Sequence, residues 1–427
     1  MSNHPNKSSE VSIRRLSPLR DFLHTESSGA VLLATAALAA LIWANSPWSA
    51  SYESLWTTRA SIGFAGHSLD LDLRHWVNDG LMTIFFFVVG LEIKREATHG
   101  HLSSRRAALL PGIAAIGGMA VPALIYMAIA GSTAPRGWAI PVATDIALAV
   151  GVLTVAKGRV PSSLRAFLLG LAIVDDIGGI IIIAVVYSSG LAFGWMAASF
   201  LGVALAILVR RSGVQAIAVY VVVGVFVWFA FHEGGIHPTI AGVMMGLLAP
   251  ASPRVQKELV DVEDGFEVSD IDAARIATHA ARNSVSVVEW LQHVLHPWSS
   301  FFIVPVFALA NSGIEVSING LRDAFASSVM WGIFFGLLVG KPLGIFLATR
   351  LAIKSGVADA PEGAGSLQIV GVGTAAGIGF TVALFITELA LTNEVDQTNA
   401  KMAILLSSVT AAVLAIVILL KAKSKSS

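Results

Sequence analysis

The sequence predicts an all-α polytopic membrane protein with twelve transmembrane helices, two of them interrupted, plus a small external β-hairpin. Three observations predict it. Of 427 residues, 55% are hydrophobic and 13% charged, whereas soluble domains carry about 25% charged residues. Apolar segments recur at approximately 28–45, 76–95, 107–130, 137–156, 163–187, 193–210, 214–232, 238–250, 296–313, 327–350, 367–391 and 397–420, most of them near the length that spans a bilayer. The connections between them alternate in charge. Of the 28 Lys and Arg residues, only Arg59, Arg74, Arg136, Arg322 and Lys401 fall in or beside odd-numbered loops, and only Lys341 lies deep within a span. By the positive-inside rule both termini are cytoplasmic. A miscounted span would scramble that bias.

In chain order, residues 1–27 are a polar cytoplasmic tail and 28–420 a single transmembrane domain. The first apolar run, Gly29 to Ala44, reads as an uncleaved span rather than a signal sequence, because apolar segments continue to the end of the chain. Within residues 46–75, the stretches Thr57 to Phe64 and Ser68 to Leu73 partly alternate around Ala65-Gly66-His67, as an external β-hairpin would. A lone hairpin is marginally stable in water. The 57–73 hairpin is therefore expected to pair with another copy of the chain, as a homodimer. The 251–290 loop carries Glu258, Asp261, Glu263, Asp264, Glu267, Asp270 and Asp272, and reads as an acidic cytoplasmic linker. Residues 421–427 are a cytoplasmic tail. Basic and acidic residues balance at 28 each, which suggests no nucleic-acid partner. The absence of cysteine excludes disulfides, thiolate metal sites and Cys nucleophiles, and no cofactor is expected.

The chemistry lies in the ionisable residues at membrane depth. Asp175 and Asp176 sit mid-way along the run from Leu164 to Tyr187, and Asp145 and Lys341 occupy similar depths in two other runs. Each costs about 2.5–3.5 kcal/mol on insertion scales, so the four together cost roughly 10 kcal/mol, comparable to the net stability of a domain. Such a burden implies ionisable chemistry inside the membrane, namely cation or proton translocation. Pro141 removes a backbone donor just before Thr144 and Asp145, so the fourth segment is expected to break there. The glycines of Gly371-Val-Gly373-Thr-Ala-Ala-Gly377-Ile-Gly379-Phe-Thr381 favour a matching break in the eleventh, or else close helix packing. Paired interrupted segments are the best sequence pointer to a transporter's site. Asp145 suits the exposed N–H ends of such breaks and Lys341 the exposed C=O ends. Asp175 and Asp176 point about 100° apart on a helix and could hold either protons or a hard cation such as Na⁺ or Li⁺. A purely structural Asp–Lys341 pair is the plainer alternative.

At the cytoplasmic end of the second segment, Glu92, Arg95 and Glu96 share a helix face. The entry to the ninth, Glu289-Trp-Leu-Gln292-His293-Val-Leu-His296-Pro-Trp, is expected nearby. A cluster of carboxylates and histidines there could sense pH, because His titrates near neutrality; interfacial anchors and surface ion pairs are the alternative.

These residues resemble the NhaA-type sodium/proton antiporters. The matching pieces are Asn78-Asp-Gly-Leu-Met, Val89-Gly-Leu-Glu-Ile-Lys-Arg-Glu96, Pro141-Val-Ala-Thr-Asp-Ile-Ala147 and Leu171-Ala-Ile-Val-Asp-Asp-Ile177. They continue with His293-Val-Leu-His-Pro-Trp298, Gly340-Lys-Pro-Leu-Gly344 and Gly377-Ile-Gly-Phe-Thr381. The similarity runs from about Ser28 to Leu420, with the motifs in family order. It implies inverted repeats, a feature that comes with the family and is not read from the residues. It also implies electrogenic exchange of cytoplasmic Na⁺ or Li⁺ for external H⁺ in the bacterial inner membrane, among lipid, by a homodimer. Asp176 would be the main cation ligand, assisted by Asp175 and Thr144. The two interrupted helices would cross, and Asp145 and Lys341 would balance them, with Gly377 and Gly379 at the second break. Glu92, Arg95, Glu96 and His237 fall on positions linked to pH response, and Glu289, His293 and His296 extend that set. One departure stands out: Gln292 occupies a position that is commonly acidic, which puts the pH set-point in doubt.

Two other classes fit less well. An intramembrane zinc protease needs His-Glu-x-x-His, whereas His232-Glu233-Gly-Gly-Ile-His237 has the wrong spacing. A passive channel would carry Na⁺ without obligatory proton counterflow.

Overall fold

The computed structural model describes residues 26–64, 67–100, 105–156, 159–212, 214, 217–251 and 286–422. The 252–285 part of the acidic linker, most of the N-terminal tail and residues 423–427 lie outside them. The chain opens with α1 (Glu26–Ala44) and α2 (Ser49–Trp56), then the antiparallel strands β1 (Arg59–Phe64) and β2 (His67–Asp72). Helices α3 (Leu73–Thr98) and α4 (Arg105–Ala130) follow. A 3₁₀ helix (Pro135–Val142) leads into α5 (Ile146–Val155), then α6 (Ser162–Val186), α7 (Phe193–Arg211), α8 (Ile217–Glu233) and α9 (Thr239–Leu248). After the undescribed linker come α10 (Val287–Asn311), α11 (Ile318–Ala326), α12 (Ser328–Lys354), α13 (Ser366–Ala376), α14 (Phe380–Ala390) and α15 (Glu394–Lys421).

Every apolar segment read from the sequence falls on a helix, but not every helix is long enough to cross a bilayer unaided. Among the described residues eight are, or ten if α1 with α2 and α13 with α14 each count as one bent span. The pairs bend by 116° and 47°. Helices α8 and α9 have 17 and 10 residues; at 1.5 Å per residue, α9 reaches only about 15 Å of a roughly 30 Å hydrocarbon layer. Hydropathy reports how apolar a stretch is and is blind to where its backbone turns. The hairpin forms with Arg59 opposite Asp72 and Phe64 opposite His67. Lys401, assigned to a loop by its charge, is instead two turns inside α15.

The chain divides into two compact units. The larger comprises Met1–Val77, Leu109–Gly179 and Ser300–Ser427. In it α15 packs on α12, α13 and α14, and α1 packs on α5 and on the second half of α10. The smaller comprises Asn78–Ala108 and Ile180–Ser299. Its densest contact is α3 against α9, and glycine makes that contact possible. A Cβ on Gly246 would lie 2.5 Å from the Phe87 carbonyl oxygen, and one on Gly90 2.7 Å from that of Val243. Gly242 has still less room, against the carbonyl of Thr83. Small residues let membrane helices bring their backbones together, and dispersion then stabilises the pair.

Replacing Gly242 by Leu should separate α3 from α9 and destabilise the protein by about 1–3 kcal/mol. A lowered thermal midpoint of the detergent-solubilised protein, followed by tryptophan fluorescence, is the expected reading. Gly112→Leu, where nothing crowds the Cβ, should leave it unchanged.

Candidate functional site

The fourth apolar segment does break. Its first half is the 3₁₀ helix containing Pro141, whose ring cannot donate a backbone hydrogen bond. Ala143 and Asp145 then adopt extended backbone before α5 begins. Asp145 is the N-cap of α5, its Oδ1 accepting the Leu148 N–H at 3.1 Å. Its Oδ2 accepts the N–H of Thr381 at 3.1 Å and the Thr381 hydroxyl at 2.7 Å. The Asp145 N–H donates to the Ile378 carbonyl at 2.6 Å. One carboxylate thus closes the N-terminal ends of α5 and α14 together, where backbone donors and the helix dipole both favour an anion.

Between α13 and α14 the helix is interrupted at Gly377 to Gly379, but for a reason other than backbone freedom. Gly377 has φ −69° and Gly379 φ −96°, conformations open to any residue. Their value is space: a Cβ on Gly377 would lie 2.5 Å from the Leu337 carbonyl oxygen, and one on Gly379 3.1 Å from that of Ala143. The close-packing reading of these glycines therefore replaces the expectation that flexibility breaks the helix.

Lys341 follows a π-helical turn, Gly336–Gly340, within α12. Such turns are rare and gather at functional sites. Its side chain is fully buried, forms an ion pair with Asp175 of α6, and donates to the Thr144 hydroxyl at 2.6 Å. That hydroxyl lies 2.6 Å from Asp175 Oδ2 and 2.9 Å from the carbonyl of Ala376, the last residue of α13. It has one proton and can donate to only one of them at a time. The bonds of Lys341 thus go to side chains, while Thr144 reaches the carbonyl end of α13. Among the described residues, Asp175 Oδ1 is buried and accepts no hydrogen bond. Buried polar atoms are almost always satisfied, so this oxygen has the capacity to accept a further partner. Asp176 is half-buried, one residue on.

The pH-response candidates are distributed in the smaller unit. Leu91 packs with Ala249, Ala251 and Val288, which brings the Glu92–Glu96 turn of α3 close to the start of α10, as expected. There Arg95 pairs with Glu96 at 3.1 Å. Glu289 is engaged in a capping box, taking the Ser286 hydroxyl at 3.0 Å while its N–H donates back at 3.2 Å. Gln292 is buried with its Oε1 unpartnered among the described residues, whereas His293 and His296 are exposed. His237 is placed away from this turn, its Nε2 3.6 Å from Asp79 and its Nδ1 2.7 Å from the Thr239 hydroxyl.

Sequence reading missed Thr381 as a partner of Asp145, although it stood in a motif already quoted. Its signal was position: a hydroxyl two residues after the last glycine of a broken segment, at the start of a new helix. The Ala376 carbonyl and Asp79 were missed as well. A backbone acceptor leaves no mark in a sequence.

Breaking a buried ion pair by removing one partner costs about 3–5 kcal/mol, whereas replacing both can be neutral. Lys341→Met should therefore lower the thermal midpoint well below that of the double variant Asp175→Asn/Lys341→Met. Equal midpoints would mean that the pair is not sealed from water.

A family model described as Na⁺/H⁺ antiporter 1 matches residues 20–419. A Na⁺/H⁺ antiporter NhaA 2 of Sorangium cellulosum is 42% identical, over 94% of this chain and 89% of its own length. The Na⁺/H⁺ antiporter NhaA of Oleidesulfovibrio alaskensis is 44% identical over 92% and 91%. A third, NhaA 3 of Frankia alni, is 43% identical over 97% and 91%.

Proposed function

The chain belongs to the Na⁺/H⁺ antiporter 1 family, and from that membership and the buried carboxylate site we infer that it exchanges cytoplasmic Na⁺ or Li⁺ for external protons by alternating access. It is a transporter, not an enzyme. The observation that carries the reading is Asp175 itself: one oxygen held by Lys341 and Thr144, the other open, with Asp176 beside it and half-exposed.

The chemistry follows from charge. Asp175 holds the Lys341 ammonium or joins Asp176 around a small hard cation; it cannot do both, since a Na⁺ close to that ammonium would be repelled. Carboxylate and hydroxyl oxygens are suitable ligands for such a cation. A cation arriving at Asp175 and Asp176 displaces the proton that Asp176 carries and the Lys341 ammonium, which gives up its own proton as it withdraws, so one Na⁺ exchanges for two protons and the cycle is electrogenic. With access opening to one membrane face at a time, competition for the same oxygens makes the exchange obligatory. Asp145, saturated by three donors, stays out of the exchange and keeps the ends of α5 and α14 closed. The remaining parts of the reading are a pH response through Glu92, Arg95, Glu96, His237, Glu289, His293 and His296, a homodimer through the hairpin, and an inner-membrane location with both termini cytoplasmic.

Everted membrane vesicles test it directly. Added Na⁺ or Li⁺ should dissipate a respiration-driven proton gradient with the native chain and fail to do so with Asp176→Asn. Where a single proton competes with Na⁺, the apparent KM for Na⁺ should rise about tenfold for each unit by which pH falls below the site's titration. A KM independent of pH would exclude competition. Na⁺ flux without proton counterflow would identify a channel.

A further inference from the structure

Helix α14 carries a single charged residue, Glu388, in its last turn. That is the wrong end for an anion, because the C-terminus of a helix already bears partial negative charge. Glu388 faces Lys401, two turns inside α15, with Oε1 and Nζ 2.6 Å apart. The angle makes the contact an ion pair rather than an aligned hydrogen bond. Both side chains are largely buried, 20% and 14% exposed. The neighbouring charges are few. Arg136 lies on the 3₁₀ helix that packs against α14, Glu394 and Asp396 stand in the first turn of α15, and the part of α10 that touches α14 (Val304–Asn311) has no charged residue.

Seven residues separate Thr381 from Glu388, nearly two full turns, so both lie on the same face of α14. Between them on that face is Phe385, buried and 6.3 Å from Phe307 of α10. The pair therefore grips one end of a short rigid rod whose other end supplies both Thr381 donors to Asp145. Asp145 in turn is covalently joined to Thr144, whose hydroxyl bridges Lys341 and Asp175. An apolar residue at 388 would pack α14 onto α15 with no preferred register. An ion pair at low dielectric has one, and fixing register is the best-attested use of such groups.

We propose that Glu388 and Lys401 are positioning residues for transport, locking α14 against α15 so that the Thr381 cap on Asp145 keeps Thr144 aligned with Asp175. This rests on reading Asp175, Asp176 and Thr144 as the ion site. The helix dipole gives the proposal an asymmetric signature. Without Lys401, Glu388 is left uncompensated at a negative helix end; without Glu388, Lys401 still finds that end favourable.

The test uses the full chain with Lys401→Met, Glu388→Gln, the double variant and Lys401→Arg. In everted vesicles Lys401→Met should raise the apparent KM for Na⁺ roughly tenfold with the maximal rate little changed. Glu388→Gln should raise it by about threefold, the double variant should stay raised to about the Glu388→Gln level because no pair remains to set the register, and Lys401→Arg should stay within about twofold of the native value. Amide hydrogen exchange across residues 378–390 is the readout that needs no transport. It should quicken several-fold in Lys401→Met, with Thr381 included, and stay above the native rate in the double variant. The proposal is overturned if Lys401→Met leaves both KM and exchange unmoved, or if the double variant returns both to native values. A native chain with no Na⁺ or Li⁺ response would refute the transport reading instead, and the amide exchange would still decide whether the pair holds α14.

Discussion

An ammonium and a carboxylate, Lys341 and Asp175, lie together with essentially no exposure to solvent. Taking either charge out of water alone costs several kcal/mol, so neither is tolerable there without the other and without hydrogen bonds to the atoms left over. Much of the surrounding structure answers that demand. The π-turn in α12 sets Lys341 at the start of the following helical stretch. The interruption before α5 frees Thr144 from helical geometry, so that its hydroxyl can receive the ammonium and reach Asp175. Glycines at 340 and 344 bring α12 against the backbone of α4, where a Cβ on Gly340 would lie 2.8 Å from Pro122 Cα. The polar centre is dry because small residues let the helices around it close.

Asp145 shows how two carboxylates at similar depth acquire different roles. Its oxygens receive the Leu148 N–H, the Thr381 N–H and the Thr381 hydroxyl, all anchored in helix ends that would otherwise be unsatisfied. Displacing it would orphan two helix termini at once. Asp175 is held by side chains alone, Lys341 and Thr144, and one of its oxygens is open. Side chains can rotate away from a carboxylate, whereas helix N-termini cannot. The difference between a fixed anion and an exchangeable one is therefore written in their partners and not in their depth.

This distinction also marks what the sequence could reveal. Apolar stretches, the hairpin and the break at Pro141 were legible because each depends on local composition or on a residue that constrains its own backbone. The intramembrane Asp and Lys residues were legible because their cost is high wherever they pack. The family resemblance is upheld over nearly the whole chain. Lengths were less accessible, since hydropathy cannot tell the 10-residue α9 from a full span. Gly377 and Gly379 were read as favouring either a break or close packing, and the choice between them lay in right-handed backbone and a nearby carbonyl of the partner helix, which make them spacers. Lys401 was assigned to a loop because its charge was weighed without Glu388, which lies thirteen positions away in sequence but in contact in space. Each miss concerns a relation between segments, and no window along one segment contains it.

If Asp175 and Asp176 form the proposed ion site, that site favours exchange over conduction for a physical reason. A pore needs ligands that bind an ion weakly and are always presented to it. Here the ligand Asp175 is already occupied by a tethered cation, so a mobile one enters only as Lys341 withdraws. Withdrawal leaves an ammonium in a low-dielectric interior without its counter-charge, which is unfavourable unless Lys341 also gives up its proton or finds another partner. Departure of the mobile cation reverses both conditions. Where Lys341 gives up its proton, ion entry and proton release are coupled through one lysine competing for one carboxylate. Alternating access then has only to expose that carboxylate to one side of the membrane at a time.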